Sequence, residues 1–180
     1  CTFFKSAKPP WQKALTKFRV AADWEYALNN NLKSFIHTSL KVLPDMKKKK
    51  WGRIINLGTT GSTKPSHKNP AYYSAKGALS AMTVSLAAEL KQTGVTANIV
   101  SPGLILTPEV QDALTNQAIK KNEDPSWEII ESRIAKDIPI GRIVRREEVA
   151  SLVTFLCSPM ADAIHGQNIK IDGGALGIVS

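Results

Sequence analysis

The 180-residue chain is 43% hydrophobic and 22% charged, the proportions of a folded globular domain and not of a disordered segment. Its net charge of +9 raises nucleic acid as a partner, but the densest basic run, Lys47 to Lys50 ahead of Trp51-Gly52-Arg53, sits where a helix should stop and complements its dipole. No groove-reading or base-stacking motif accompanies it and no apolar stretch is long enough to span a bilayer, so neither nucleic acid nor membrane is an expected partner.

Residues 1–22, with Pro9-Pro10 and scattered lysines, are expected to form an irregular N-terminal segment of a single domain covering 1–180. From Asp23, the residues Trp24, Leu28, Leu32, Ile36, Leu40 and Leu43 recur at helical spacing and predict a long amphipathic helix ending at the lysine run. Arg53-Ile54-Ile55-Asn56-Leu57 reads as a short buried strand stopped by Gly58, and 59–70 as a polar loop. A second long helix is predicted over about 71–91, with Leu79, Met82, Leu86 and Leu90 on one face and Gly94 near its end. Val95 to Val100 reads as a strand cut by Ser101-Pro102-Gly103. Weaker helical patterns fill 107–137, broken near Pro125. A last helix opens at Arg145-Arg146-Glu147-Glu148 and runs through Leu156, and Gln167 to Asp172 forms a strand running into Gly173-Gly174. Strands alternating with helices of this length imply an α/β fold with a parallel sheet and right-handed crossovers.

The two cysteines, Cys1 and Cys157, form no C-x-x-C, and His37, His67 and His165 are dispersed, so no metal site is expected. Cys157 follows the apolar run Leu152 to Leu156 and is expected to be a buried thiol in a reducing compartment.

The chemistry-bearing pair is Tyr72 and Lys76, four residues apart at the head of the second long helix and therefore on one face. A cation beside a phenol favours the phenolate, which predicts a lowered tyrosine pKa and a usable acid/base. Ligands of open α/β sheets bind beyond the C-terminal ends of the strands. Three features fall there: Gly58-Thr59-Thr60-Gly61, the segment from Ser101 to Thr107, and Asp172-Gly173-Gly174.

In this order and spacing the chain resembles the short-chain dehydrogenase/reductase family, in the subgroup of 3-oxoacyl reductases, over most of its length after Asp23. The matching pieces are Asn29 to Leu32, Gly52 to Asn56, the Tyr72/Lys76 pair, Asn98 to Gly103, Thr107-Pro108, Gly141-Arg142, Glu147 to Ala150, Gly166-Gln167 and Ile171 to Gly174. The resemblance implies a Rossmann-like parallel sheet with helices on both faces, and hydride transfer between NAD or NADP and a carbonyl or alcohol substrate. Tyr72 would be the acid/base, and Lys76 would lower its pKa and hold the nicotinamide ribose. Asn31 would support a proton-relaying water, with Asn29 and Asn30 as alternatives in register. The family's serine, thirteen residues before the tyrosine, falls on Thr59, with Thr60 or Ser62 open if the loop is shifted. For the cofactor the resemblance implies Pro102 and Gly103 packed on the nicotinamide, a backbone amide at Ile105 and the Thr107 hydroxyl. Thr107-Pro108-Glu109 also reads as a plain helix start.

The family's Gly-rich strand-to-helix turn, T-G-x-x-x-G-x-G, is absent, and no glycine precedes Gly52. The N-terminal strands are therefore expected to be missing from this chain, which is read as a fragment of a complete reductase or as a natural truncation. With them goes the residue that would choose NAD over NADP. A truncated sheet would leave its first strand as an exposed apolar edge. The resemblance further implies a cytoplasmic homodimer or homotetramer assembled through 24–46 and 71–91. Substrate choice is expected to lie in 104–137. A contrasting reading, a degenerate member serving as a non-catalytic binding or scaffold subunit, draws on the missing turn and on threonine in the serine position.

Overall fold

The computed structural model describes residues 21–178, and its first feature is the long helix, which carries one wide turn. Helix α1 (Ala21–Leu28) passes into a π-helical turn (Asn29–Lys33) and on into α2 (Ser34–Lys49). The asparagines supply the reason. Asn30 Nδ2 donates to the Tyr26 carbonyl at 2.9 Å and Asn31 Nδ2 to the Ala27 carbonyl at 3.0 Å, so side chains compete for the acceptors of the helical ladder. The helix begins before Asp23: Ala21 and Ala22 are helical, and the remainder of the expected irregular segment, 1–20, lies outside the described residues. At its other end the helix takes in Lys47, Lys48 and Lys49 as its last turn and closes on Lys50 in a left-handed conformation (φ 51°). The lysine run is thus a helix C-terminus, with Lys47 paired to Glu89 at 3.1 Å.

Strand β1 (Gly52–Leu57) follows, then a 3₁₀ turn (Thr60–Ser62) inside the polar loop, and α3 (Pro70–Glu89), which starts on proline at its first position. Strand β2 (Val95–Pro102) runs through the Ser101-Pro102 pair expected to cut it. Next come β3 (Ile105–Leu106), α4 (Pro108–Lys120), α5 (Trp127–Ala135), β4 (Val144–Arg145), α6 (Arg146–Cys157), a 3₁₀ turn (Pro159–Ala161) and β5 (Asn168–Ile171).

The main sheet is parallel in the order β1-β2-β5, with Gly52 opposite Val95 and Val100 opposite Ile169. All eight β2 residues are buried, as a central strand covered on both faces requires. On one face Ile54, Val95 and Ala97 pack with Leu43 of α2, Ala87 of α3 and Leu90, which caps that helix. On the other, Val100 packs with Val149 and Leu156 of α6, joined by Ile55, Ile105 and Ile169. This is a Rossmann-like layering with helices on both faces. Among the described residues β1 pairs only with β2, and its last residue, Leu57, is 47% exposed. The separate parallel pair β3–β4 joins Ile105 to Val144, two residues each and too short for any periodicity. Cys157 corrects its expectation: the thiol is exposed, because the end of α6 turns outward with Phe155 and Met160 also exposed.

Candidate active site

Thr59, Tyr72 and Lys76 come together beyond the C-terminal end of β1. Gly58 closes that strand against β2, its N–H donating to the Val100 carbonyl at 2.8 Å. The approach is so close that a Cβ on Gly58 would stand 2.4 Å from Ser101 Oγ, so only glycine lets the chain turn there. Thr59 comes next, extended, and caps the 3₁₀ turn: its Oγ1 accepts from the Gly61 N–H at 3.2 Å. Ser62 Oγ donates back to the Thr59 carbonyl at 2.7 Å, and Thr60 Oγ1 reaches the Pro102 carbonyl at 3.4 Å. Of the three hydroxyls open to the serine role, Thr60 and Ser62 are thus turned to backbone carbonyls. Thr59 is the one near enough to the Tyr72 phenol to draw its pKa down.

Tyr72 and Lys76 lie one turn apart on α3, which is held to the sheet by a buried hydrogen bond from Asn56 Nδ2 to Thr83 Oγ1 at 2.7 Å. Lys76 is only 7% exposed. Its Nζ donates to the Leu57 carbonyl at 2.7 Å and lies 5.2 Å from the Phe35 ring centroid and 5.9 Å from that of Tyr72. The expected lowering of the tyrosine pKa by this cation is not realised. Burial is the largest influence and pushes the Tyr72 phenol above its ordinary value; the bond from Thr59 pulls it down and Tyr73 pushes it up. Burial likewise lowers the Lys76 pKa. The ammonium lies under the ring and is directed at a carbonyl.

Two aromatic residues of this site carry no signature in the sequence. Tyr73 meets Tyr72 edge-on, centroids 5.4 Å apart, and covers Gly61 so closely that a Cβ there would lie 2.2 Å from its ring. Phe35 sits four residues beyond Asn31. That helical spacing is the one clue to its place beside Lys76.

The remaining expected residues divide. Asn31 lies in the π turn, which packs against α3, but its side-chain amide is occupied by the Ala27 carbonyl. Pro102 ends β2, and the Gly103 N–H donates to the Ile171 carbonyl at 3.1 Å. A Cβ on Gly103 would meet Asp172 Cβ at 2.7 Å, so the glycine is required here for contact with the end of β5. Ile105 is in β3, and Thr107 Oγ1 caps α4 by accepting from Val110 N–H at 3.3 Å. That is the helix-start role. Asp172 is spent on its own turn, accepting from Gly174 and Leu176 N–H at 3.0 and 2.9 Å. A cavity of about 850 Å³ lies at the opposite pole of the sheet, lined by Trp51, Arg53, Lys91 and His165 among others and by none of the residues above. Among the described residues no acidic, histidine or cysteine cluster suits a metal ion, and no helix is long and apolar enough to cross a membrane.

Residues 7–175 match the family model described as enoyl-(acyl carrier protein) reductase. The chain is 37% identical over 151 residues to D-beta-hydroxybutyrate dehydrogenase of Cupriavidus necator, covering 84% of this chain and 58% of that protein. It is 35% identical over 154 residues to a tropinone reductase homolog of Arabidopsis thaliana, covering 86% and 53%. Among solved structures, L-sorbose reductase from Gluconobacter frateurii, complexed with NADPH and L-sorbose, superposes with a TM-score of 0.82 at 26% identity, over 89% of this chain and 60% of that one. A short chain dehydrogenase/reductase family oxidoreductase from Burkholderia thailandensis superposes with a TM-score of 0.73 at 29% identity, over 88% and 58%. The chain spans about three-fifths of the length of these relatives.

Proposed function

This chain belongs to the short-chain dehydrogenase/reductase family, and from that premise we propose that it transfers a hydride between NAD(P)(H) and a small carbonyl or alcohol substrate, with Tyr72 as the acid/base. The observation that carries the reading is the meeting of Thr59, Tyr72 and Lys76 at the C-terminal end of β1, where Lys76 Nζ donates to the Leu57 carbonyl. A relative that binds NADPH in its solved structure supports the same cofactor class here.

The residues present fit the nicotinamide end of such a cofactor. Lys76 has two N–H donors beyond the one given to Leu57, enough for the two ribose hydroxyls. Pro102, Gly103, the backbone at Ile105 and the Thr107 hydroxyl stand on the segment after β2, at the same end of the sheet. A dinucleotide bound there supplies the hydride in the reducing direction. Tyr72 donates its phenolic proton to the carbonyl oxygen as negative charge develops on it. A phenol held protonated by burial is the form that step needs. Thr59 holds the same oxygen through its hydroxyl. Lys76 keeps a positive charge close to the phenolate left behind, and Asn31, on the π turn packed against α3, would support a proton-relaying water through the part of its amide that Ala27 does not use. We further place the self-association surface of the protein on α1–α2 and α3, whose exposed apolar residues include Tyr26, Leu40 and Val84.

The test is titration with NADH and with NADPH, followed by nicotinamide fluorescence, and then turnover with a panel of short keto and hydroxy acids. The reading requires saturable binding and turnover that Tyr72→Phe abolishes. Absence of binding to either cofactor overturns it.

A further inference from the structure

We propose that Phe35 is a positioning residue for Lys76, its ring face holding the buried ammonium in the direction of the site. Four observations about Lys76 converge. Lys76 is brought in from α3 to 7% exposure, and its Nζ makes one hydrogen bond, to the Leu57 carbonyl of β1 at 2.7 Å. An ammonium has three N–H donors, so two find no acceptor among the described residues. The five ion pairs among the described residues do not include Lys76. What stands beside the charge instead is aromatic: Phe35 at 5.2 Å and Tyr72 at 5.9 Å.

Both distances fall within the reach over which a ring quadrupole attracts a cation, and the attraction grows as water is removed. Phe35 is the closer of the two and, unlike Tyr72, has no proton to move. It is also held in place: it lies one helical turn from Asn31 and one from the buried Ser39, on the face of α2 that continues the π turn packed against α3. The titratable groups of the elements that surround Lys76 are Asp23, Glu25 and Tyr26 of α1, Lys33 of the π turn, His37, Lys41, Asp45 and Lys47 to Lys49 of α2, Arg53 of β1, and Tyr72, Tyr73 and Glu89 of α3. None of the charged ones pairs with Lys76, and burial alone is what disfavours its charge. Without the Phe35 ring the ammonium would keep one carbonyl and one more distant phenol, in a site that already penalises it.

The consequence for turnover rests on the proposed function; the consequence for the lysine itself does not. The experiment therefore reads both. The protein is labelled with ¹³C at lysine Cε, the Lys76 resonance is assigned by its loss in Lys76→Arg, and its titration is followed in the wild type, Phe35→Leu, Phe35→Met and Phe35→Tyr. Removal of the ring in the Leu and Met variants moves the Lys76 titration down by about one pH unit, and Phe35→Tyr restores it. Melting curves confirm that the variants compared are folded, Met preserving volume if Leu does not. In turnover, the ring-free variants lose roughly tenfold in kcat with little change in KM for the carbonyl substrate, and Phe35→Tyr recovers it. A Lys76 titration identical in wild type and Phe35→Met overturns the inference, as does a shift that Phe35→Tyr fails to reverse. Wild-type protein that shows the shift but no turnover leaves the inference standing and overturns the proposed function alone.

Discussion

Asn56 Nδ2 donates to Thr83 Oγ1 at 2.7 Å, joining the penultimate residue of β1 to the fourth turn of α3 across a core in which these residues are 2% and 1% exposed. Thr83 in turn donates to the Leu79 carbonyl at 2.8 Å, so its hydroxyl is fully used. The bond ties the helix that carries Tyr72 and Lys76 to the sheet. Thr83→Val removes the acceptor and leaves a buried amide unpaired, which costs about 1–3 kcal/mol. Combined with Asn56→Leu the loss should shrink, because both partners are then apolar. Urea unfolding of the two single variants and the double variant measures the coupling, and purely additive losses would show that the pair is not the link claimed.

Thr59 makes a second, functional prediction. Its hydroxyl pulls the Tyr72 pKa down, against the stronger push of burial. Thr59→Val should therefore push the tyrosine titration further up and move the alkaline limb of the pH–rate profile to higher pH, with kcat falling about 10²- to 10⁴-fold. Thr59→Ser keeps the hydroxyl and should retain most of the rate. Tyr72→Phe should lose turnover with cofactor affinity nearly intact, measured by fluorescence titration. An unchanged pH limb in Thr59→Val would remove Thr59 from the acid/base couple.

The sequence made the helices and strands legible wherever periodicity ran for several turns, as in Trp24 to Leu43 and Leu79 to Leu90. It made the Tyr72/Lys76 pair legible through spacing, while Thr59, with Thr60 and Ser62 as alternatives, came only from the family resemblance. Three things were hidden for physical reasons. The aim of Lys76 depends on where the Leu57 carbonyl lies, and that is fixed by strand pairing far along the chain. The Asn56–Thr83 bond looks in one dimension like two polar interruptions of apolar patterns, because mutual satisfaction of buried groups is a tertiary property. The apolar run before Cys157 suggested burial, yet only part of α6 faces the sheet, and Phe155 and Cys157 face away from it. Gly103 is the opposite case: its residue type is legible, but the close approach that requires glycine is to Asp172.

That last relationship is testable without any cofactor. A methyl group at position 103 would stand 2.7 Å from Asp172 Cβ and 3.1 Å from its Cα, and backbone does not swing aside as a long side chain does. Gly103→Ala should destabilise the cofactor-free protein by about 1–3 kcal/mol, the usual penalty of forcing extra volume into a packed contact. Thermal melting is the measurement. A variant as stable as the wild type, but weakened in nicotinamide binding, would assign the glycine to the ligand instead.

The pH dependence of stability has a clear source at the start of α6. Glu148 accepts from both Arg142 guanidinium nitrogens, at 2.8 and 2.7 Å, and from the Arg145 N–H at 2.8 Å, so one carboxylate ties the β4 approach to the first turn of the helix. The Arg142 side-chain bonds are the larger cause and the Arg145 backbone bond the next, and together they lower the Glu148 pKa from 4.5 to about 2. A carboxyl group with a depressed folded-state pKa contributes stability that is fully present above its unfolded pKa and fades as pH falls toward the folded value. The window is therefore about pH 4.5 down to about 2. Glu148→Gln abolishes the titration while keeping an acceptor oxygen. The melting temperature of the variant should lie below that of the wild type at pH 7, and the gap should close as the two are compared at progressively lower pH through that window. High salt should narrow the pH 7 gap only in part, since hydrogen bonds to a fixed bidentate guanidinium survive screening better than a bare Coulomb attraction. A gap that stayed constant from pH 7 to pH 2 would mean that the glutamate acts by shape and not by charge.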